Sequence, residues 1–186
     1  TVIEFAYQGP LLKFNGEKIC LALTGDVTFN IIKKNLDVEK GNCYQSYYLR
    51  DGDQIDILST NRSVYGYLAV SGGFNVELFW NSSSTNTKAR IGANNGEKIK
   101  KDSLIEILKP QKIYPLKKLK YFNTKIEQIR IIKGTNYSYF SKDGKKNFLE
   151  KKFIVSKLTD RMGMRLEGPK IENIVDTNIR SEGLVK

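Results

Sequence analysis

The residues best suited to chemistry in this sequence lie in one short charged run, Thr159-Asp160-Arg161-Met162-Gly163-Met164-Arg165-Leu166-Glu167-Gly168. An arginine presents a rigid fork of donors that fits carboxylate or phosphate oxygens. On a regular strand, Arg161, Gly163 and Arg165 would share one face, and the two guanidinium groups could clamp one anion. The alternative is a charged hairpin whose acids and arginines pair only with one another. The run therefore predicts either an anion-binding strand end or a cluster of structural ion pairs.

Two further stretches could hold an anion without an arginine. Gly72 and Gly73 follow an apolar run, and a glycine pair at a strand end can expose successive backbone N–H groups as an anion nest. A bulge or tight turn is the plainer interpretation of the same pair. Ser84 and Thr85 carry hydroxyls that can donate to phosphate or carboxylate oxygens, or that simply line an exposed loop. Each stretch leaves a binding role and a structural role open.

Histidine is absent from the sequence, which excludes Ser-His-Asp and Cys-His catalysis within these residues. Acid–base work would fall to Asp, Glu, Lys or Tyr. The candidate carboxylates are Asp160 and Glu182, each with a structural or solvated role as the alternative. Cys20 and Cys43 have no metal-ligand spacing, so no protein metal site is predicted.

Several motifs resemble one known family. They are the run 159–168 (similar to "SDRMGLRLEG"), 67–74 ("YLAVAGGI"), 82–85 ("SRST"), 181–185 ("SEGVV") and, more weakly, 22–26 ("ALTGADF"). They occur in the family's order along nearly the whole sequence. The sequence therefore resembles the biotin-dependent carboxyltransferase-like family. That family includes the C subunit of 5-oxoprolinase, the second subunit of allophanate hydrolase, the carboxyltransferase part of urea carboxylase and the antagonist of a sporulation-kinase inhibitor.

The resemblance implies a subunit of an ATP-dependent amidohydrolase like 5-oxoprolinase, which opens 5-oxo-L-proline to L-glutamate with ATP and water. A B subunit, with an A subunit as a further partner, and a small-molecule amide substrate are implied with it, as are ATP and magnesium. Two groups of residues carry the implied site. They are the catalytic carboxylates Asp160 and Glu182, and the substrate or phosphate ligands Gly72, Gly73, Ser84, Thr85, Arg161 and Arg165.

One position departs from the family pattern, and other functions stay open. Ser83 stands where the family has an arginine, and Lys88 or Arg90 could replace the missing guanidinium. One alternative is a carboxyltransferase module of a urea carboxylase or allophanate-type system, with biotin supplied by another domain. The other is a non-enzymatic regulatory subunit that binds a kinase-inhibitor-like partner. Segments that usually open and close family members are missing before Thr1 and after Lys186, so we expect a piece of a longer protein.

The charge and composition of the sequence limit the kinds of partner that we expect. The formal net charge is +11, but the lysines are spread along the chain and no RNA-binding signature accompanies them, so a nucleic-acid partner is not favoured. No apolar run is long enough to cross a bilayer, and no secretion signal opens the sequence. The two cysteines are expected to be reduced, which fits the cytoplasm.

Strand signals dominate the elements that would position these residues. Asn15-Gly16 between two apolar runs predicts a hairpin, and Lys142-Asp143-Gly144-Lys145 predicts another turn of hairpin type. Alternating segments at 103–108 and 128–132 predict further strands. Residues 29–36 fit either a short helix or a strand. Helix is expected to be the minority state, and the family implies a mostly β fold with two cyclophilin-like β-barrel lobes in tandem.

A proline- and lysine-rich stretch divides the sequence. Residues 109–125 contain two prolines and repeated lysines without clear periodicity, which is typical of a linker. We therefore predict a first β lobe at 1–108, a basic linker at 109–125 and a second β lobe at 126–186. The N-terminal part of the first lobe and the C-terminal part of the second are expected to lie outside the sequence.

Overall fold

The computed structural model describes residues 1–110, 112, 115–120, 127–161 and 163–175. The chain forms two compact units, Thr1–Asn123 and Thr124–Lys186. The boundary between them lies inside the stretch whose prolines and lysines predicted a linker.

The first unit is built on two antiparallel sheets of four strands each. The strands are β1 (Val2–Ala6), β2 (Leu11–Lys13), β3 (Lys18–Thr24), β4 (Val27–Ile32), β5 (Val38–Lys40), β6 (Ser46–Arg50), β7 (Gln54–Thr60) and β8 (Tyr65–Val70). The sheet orders are β1-β8-β3-β6 and β2-β7-β4-β5. After the sheets, β9 (Thr85–Asn86) and β10 (Ile91–Gly92) form a small hairpin, followed by a 3-10 turn at Asn94–Gly96.

Alternating side chains of both sheets enclose one hydrophobic core. In β3 every second residue is buried, namely Ile19, Leu21 and Leu23. This period of two is what a strand with one face on a core requires. Phe29 of β4 is fully buried and meets Tyr47 edge to face, with ring centroids 5.9 Å apart. The core therefore fixes the inward face of each strand, and with it the places where the connecting loops leave the sheets.

One buried carboxylate ties the turn after β4 to the turn between β6 and β7. The Asp53 side chain accepts a backbone hydrogen bond from Lys34 on Oδ1 and another from Arg50 on Oδ2, each at 3.0 Å. Lys33 Nζ lies 3.5 Å from Oδ2. Burial by itself raises the pKa of Asp53, but the Arg50 and Lys34 donors and the Lys33 ammonium outweigh it, so the pKa is lowered. Asp53 is thus a charged structural residue.

The prediction that Asn15-Gly16 closes a hairpin between its flanking strands is wrong. β2 pairs with β7, whereas β3 pairs with β6 and β8, so the strands on either side of the turn belong to different sheets. A two-stranded hairpin is marginal alone, and long-range pairing lets β3 bury its apolar face in the core. Residues 29–36 fit either a short helix or a strand in the sequence. In the structure they form a strand as far as Ile32 and a turn after it.

Two predicted strands are wrong because their segments pair too little. Of residues 103–108, only Ile107 forms a β-bridge, with Phe74. Residues 128–132 are described without strand or helix. Alternation alone is a weak signal because a strand also needs a sheet edge to join.

The second unit contains the main helix among the described residues. A 3-10 helix at Thr135–Tyr139 precedes α1 (Lys142–Glu150), and β11 (Ile154–Val155) pairs with β12 (Leu166–Glu167). The turn predicted at residues 142–145 is therefore wrong. The Ser141 side chain accepts a hydrogen bond from the Gly144 N–H at 2.9 Å, and this N-cap starts a helix where Asp-Gly suggested a hairpin.

The predicted fold class is confirmed: antiparallel strands dominate the described residues, and helix is the minority state. In the part of the chain that the structure describes, every helix is too short or too polar to cross a membrane.

Candidate anion-binding site

The glycine pair Gly72-Gly73 forms a tight turn after β8. Gly73 donates its N–H to the Val70 carbonyl at 3.0 Å, and the two φ angles are +88° and +81°. A Cβ on Gly72 would lie 2.0 Å from the carbonyl oxygen of Leu108, so the close approach requires glycine. Because the Gly73 N–H is used inside the turn, the structure gives the pair a clear structural role. Its binding of an anion stays a prediction.

The charged run forms the loop between β11 and β12. The backbones of Asp160 and Gly163 exchange hydrogen bonds at 3.1 and 3.3 Å, and Asp160 Oδ1 also accepts from the Gly163 N–H at 3.3 Å. These bonds close a tight turn with Arg161 at its tip, while Arg165 leads into β12 through its carbonyl, which accepts from Ser156 at 2.8 Å. The regular strand that would put both arginines on one face is therefore wrong, because the Asp160 side chain stabilises a turn instead.

The loop carries three of the predicted site residues. Asp160, Arg161 and Arg165 are all exposed in the second unit, within six residues of one another. Their roles as carboxylate and anion ligands stay predictions. Glu182, the other predicted carboxylate, lies outside the described residues.

Ser84 and Thr85 begin the small β9–β10 hairpin of the first unit. The Thr85 hydroxyl donates to the Ala93 carbonyl at 3.0 Å, and the Ser84 N–H donates to Ser82 Oγ at 3.2 Å. Both residues are exposed. At Gly92 a Cβ would lie 2.1 Å from the Ser84 carbonyl oxygen, so the two strands approach as closely as glycine allows. The hydroxyl of Thr85 thus helps to shape the hairpin, and its role toward a ligand stays a prediction.

The same hairpin frames a cationic cleft of about 440 Å³. Its lining residues are Thr87, Lys88, Arg90, Gly96, Glu97, Lys98 and Lys100. Four cationic side chains share the cleft with one carboxylate, and the Lys100 ammonium lies 2.5 Å from Glu97. The cleft is shallow and open to solvent, and its positive excess attracts anionic groups, because the summed charges of a surface concentrate counter-ions.

A second cleft of about 340 Å³ adjoins the first. It is lined by Glu77, Phe79, Arg90, Ile91, Gly92 and Asn95. Arg90 lines both clefts and so connects the cationic surface with the one that contains Phe79 and Ile91. The Phe79 ring contacts that of Trp80, with centroids 4.8 Å apart, and Trp80 is 84% exposed.

The arginine expected at Ser83 has two possible substitutes in this hairpin. Lys88 and Arg90, which the sequence suggested, both line the cationic cleft. Lys98 and Lys100 also line it, and neither was predicted from the sequence. Because Lys98 and Lys100 are two residues apart, the sequence could indicate that they share a face of an extended segment, but not that this face lies beside Arg90.

The motif at residues 22–26, which resembles the family pattern least, has a structural role. Asp26, in the turn between β3 and β4, accepts from the Asn61 side chain at 3.1 Å and from the Arg62 N–H at 3.3 Å. Gly25 beside it has a φ of +104° and donates to the Tyr44 hydroxyl at 3.2 Å. The Asp26 bonds fasten the β3–β4 turn to the β7–β8 loop, and the Gly25 bond fastens it to the segment before β6.

The antiparallel sheets and the motif-bearing turns are those of a carboxyltransferase domain. The family model described as "Carboxyltransferase domain, subdomain A and B" matches residues 1–186, and the chain belongs to this family. The predicted family resemblance is thereby confirmed.

Two curated relatives share one name, the C subunit of 5-oxoprolinase. The protein from Escherichia coli (strain K12) is 27% identical over 141 residues, covering 74% of this chain and 44% of the relative. The protein from Haemophilus influenzae is 24% identical over 154 residues, covering 78% of this chain and 47% of the relative. The chain therefore spans somewhat less than half the length of these relatives.

A solved structure extends the likeness of fold. The urea amidolyase of K. lactis superposes with a TM-score of 0.72 at 19% identity, over 92% of this chain and 11% of that one. At this identity the likeness concerns the fold alone.

Proposed function

We propose that this chain is part of a subunit of an ATP-dependent amidohydrolase that opens 5-oxo-L-proline to L-glutamate. The observation that carries the proposal is the shared name of the two curated relatives, each the C subunit of a 5-oxoprolinase. The cationic cleft around Arg90 supports it, because both the substrate carboxylate and the phosphates of ATP are anions. A B subunit and an A subunit are the proposed partners, and the cytoplasm is the proposed location.

The chemistry suits a protein without histidine. A lactam carbonyl is a poor electrophile, and ATP would supply the phosphoryl group that turns its oxygen into a good leaving group. The chain's own task is then to hold anions and to orient the carbonyl, which arginines, lysines and carboxylates can do. Histidine is not required for that task.

The residues fit phosphate better than they fit a bare metal ion. Arg90 and the lysines of its cleft can donate to phosphate oxygens. Among the described residues, no group of three carboxylate or thiol side chains is placed to hold a metal. Magnesium would arrive with the phosphates of ATP, which is a common arrangement for this ion.

The second unit would contribute its exposed loop. Arg161 at the turn tip and Arg165 beside β12 would hold substrate or phosphate oxygens, while Asp160 or Glu182 would orient the reacting group. In the first unit, Gly72 and Gly73 would supply backbone donors, and Ser84 and Thr85 hydroxyl donors. These assignments rest on the family motifs, and they guide the choice of variants.

Carboxyl transfer is the second candidate. The fold likeness to a urea amidolyase favours it, because one part of that protein, 11% of its length, has the same fold as this chain. In that case biotin would come from another domain, and the site would hold a carboxylated substrate instead of a phosphate.

Reconstitution of the complex separates the hydrolase proposal from carboxyl transfer. The full-length protein is co-expressed with its B and A partners, and ATP hydrolysis is followed with and without 5-oxoproline. We expect phosphate release to require both 5-oxoproline and this protein, with glutamate formed in equal amount. Omission of each component in turn is the control.

If ATP hydrolysis does not respond to 5-oxoproline while carboxybiotin-dependent turnover of urea is found, the hydrolase proposal fails and carboxyl transfer replaces it. If neither activity appears in a complex that assembles, both enzymatic proposals fail.

A further inference from the structure

We propose that residues 78–81, the aromatic tip, insert into an apolar pocket of a partner subunit whose rim carries carboxylates. The choice of a partner subunit as the occupant rests on the proposed function, which makes this chain one subunit of a complex. The aromatic tip lies in the first unit, between the glycine pair and the β9–β10 hairpin.

Three consecutive large apolar side chains are exposed at the aromatic tip. Leu78 is 58% exposed and Trp80 is 84% exposed, and Phe79 between them is exposed as well. The rings of Phe79 and Trp80 lie against each other, with centroids 4.8 Å apart. Single exposed apolar residues are ordinary, but a contiguous exposed apolar patch marks a surface that another molecule covers.

The backbone holds Trp80 in a conformation that disfavours tryptophan. Phe79 and Ser82 exchange backbone hydrogen bonds at 2.9 and 3.0 Å, which closes a two-residue turn. Its central residues, Trp80 and Asn81, have φ angles of +51° and +58°. Such a turn favours asparagine followed by glycine, and a bulky residue with positive φ is strained. Asparagine at position 80 would suit the turn better, so the benefit of the tryptophan lies in what its ring contacts outside the turn.

The side chains of the aromatic tip are of the kind that dominates binding at protein interfaces. Tryptophan and arginine are enriched among such residues, and Arg90 lines the same cleft as Phe79. Because the Phe79 ring already lies against that of Trp80, less side-chain freedom is lost when a pocket closes over both rings.

The charges beside the aromatic tip indicate the chemistry of the partner. Cationic side chains line the two clefts there, namely Lys88, Arg90, Lys98 and Lys100. The carboxylates of the same clefts are Glu77 and Glu97, and Glu97 is paired with Lys100. Cations therefore outnumber carboxylates around the apolar patch. A partner with an apolar pocket and an acidic rim complements both features.

The test measures association of the full-length protein with the full-length B subunit by calorimetry, for the wild type and for Trp80→Asn. Asparagine is the residue that the turn prefers, so this variant keeps the turn and removes the ring. We expect association to weaken roughly thirtyfold or more, as for the loss of a dominant interface residue, while the unfolding midpoint does not fall. Unchanged affinity, or no association of the folded wild-type proteins, would overturn the proposal.

Leu36→Ala is the matched control. Leu36 is 75% exposed and has a φ of +71°, as Trp80 does in kind, but it stands between the exposed polar residues Asn35 and Asp37. This variant should bind the B subunit as the wild type does. Equal weakening by the two variants would overturn the proposal, because it would not depend on the aromatic tip.

The salt dependence of association tests the acidic rim. Added salt should weaken binding of the wild type, because it screens the cations beside the aromatic tip from the carboxylates of the partner. An affinity that does not change with salt would overturn the acidic rim that we assign to the partner.

Two measurements on the full-length protein alone test other occupants of the aromatic tip. Acrylamide quenching of tryptophan fluorescence, compared between the wild type and Trp80→Phe, reports whether Trp80 is accessible. If Trp80 is inaccessible in the free protein, the rest of the chain covers it. If the protein self-associates and Trp80→Asn abolishes this, a second copy covers it. Either result would overturn the proposal.

Failure of this proposal and failure of the proposed function give different results. If 5-oxoproline-dependent hydrolysis is found while Trp80→Asn assembles like the wild type, the function stands and the docking surface fails. If the complex assembles through the aromatic tip but hydrolysis ignores 5-oxoproline, the docking surface stands and the proposed function fails.

Discussion

The two four-stranded sheets and the segment 77–100 of the same unit are held together by different forces. The sheets enclose side chains such as Phe29, Leu23 and Ile31, each with no exposed surface. The segment 77–100 is mostly exposed and depends on glycines, turns and side-chain-to-backbone hydrogen bonds. Its surface around Arg90 is cationic, whereas the interior of the sheets is apolar.

This difference means that the sheets determine the stability of the fold, whereas the segment 77–100 can carry ligand-binding groups. Burial of apolar side chains contributes most of the folding free energy, so substitutions in the sheets should change stability first. Exposed loops on a rigid scaffold contribute little to stability and can carry ligand-binding groups. Variants of the two regions should therefore fall into separate classes.

The largest effect is expected in the core. Phe29→Ala removes a fully buried ring that contacts Tyr47 and packs against Gly41. We expect the free energy of unfolding to fall by about 3–5 kcal/mol, from lost burial and the cavity left behind. Denaturant titration measures the change. Leu11→Ala, at a 58% exposed site on β2, is the matched control and should cost far less.

The second largest loss of stability is expected at the buried carboxylate of Asp53. Asn at position 53 could accept only one of the two backbone hydrogen bonds from Lys34 and Arg50, and its amide would face the other N–H. We expect Asp53→Asn to cost about 1.5–3 kcal/mol, the range for hydrogen bonds to a charged group. Asp51→Asn, in the same turn but exposed, serves as the control and should shift the unfolding midpoint less.

The same residue predicts a pH dependence. The pKa of Asp53 is lower in the folded protein than in the unfolded chain, so its stabilisation is complete above the unfolded value. It is lost as the pH falls below the unfolded value of about 3.9 and through the lower pKa of the folded protein. Stability of the wild-type protein should decline more steeply over this range than that of Asp53→Asn. Parallel slopes would contradict the assigned role.

Within the cleft segment, Gly96→Ala should have a smaller and local effect. Gly96 has a φ of +69°, and an added Cβ would lie 2.1 Å from the backbone of Arg90. We expect Gly96→Ala to lower the free energy of local opening of residues 77–100 by about 1–3 kcal/mol, because strain of this kind is relieved by local opening. Hydrogen exchange should show faster exchange there and unchanged protection in β3 and β7. A loss of protection across the sheets would contradict the separation of the two regions.

The smallest stability effect is expected for Arg90→Asn. The side chain is exposed, and asparagine suits the positive φ of the site. The unfolding free energy should change by less than about 0.5 kcal/mol, as for most surface substitutions. A marked loss of stability would mean that Arg90 has a structural role.

The strands of the core were easier to predict from the sequence than their pairing. Apolar residues alternate at 19–23 and 54–58, which is typical of strands with one buried face, and both segments are strands in the structure. Asn15-Gly16 gave the wrong pairing, since turn propensity is local whereas the partners of β3 lie far along the chain. Asp143-Gly144 gave the wrong element, because the Ser141 cap outweighs the turn signal of Asp-Gly.

The candidate site was partly accessible from the sequence. Family motifs pointed to Ser84, Thr85 and the missing arginine at Ser83, and the hairpin there proved to frame the cationic cleft. Lys98 and Lys100 could not be assigned, because their proximity to Arg90 depends on the 3-10 turn at Asn94–Gly96. In the second unit the arginine spacing indicated a shared strand face, and the capping of the turn by Asp160 was the feature that spacing could not reveal.

The most direct test is 5-oxoproline-dependent ATP hydrolysis by the reconstituted complex, measured side by side for the wild type and Arg90→Asn. We predict that wild-type hydrolysis requires 5-oxoproline, and that Arg90→Asn lowers kcat/KM for ATP roughly tenfold while the unfolding midpoint is unchanged. Wild-type hydrolysis that ignores 5-oxoproline would contradict the proposed function. Equal kcat/KM values for the two proteins would contradict the role of Arg90.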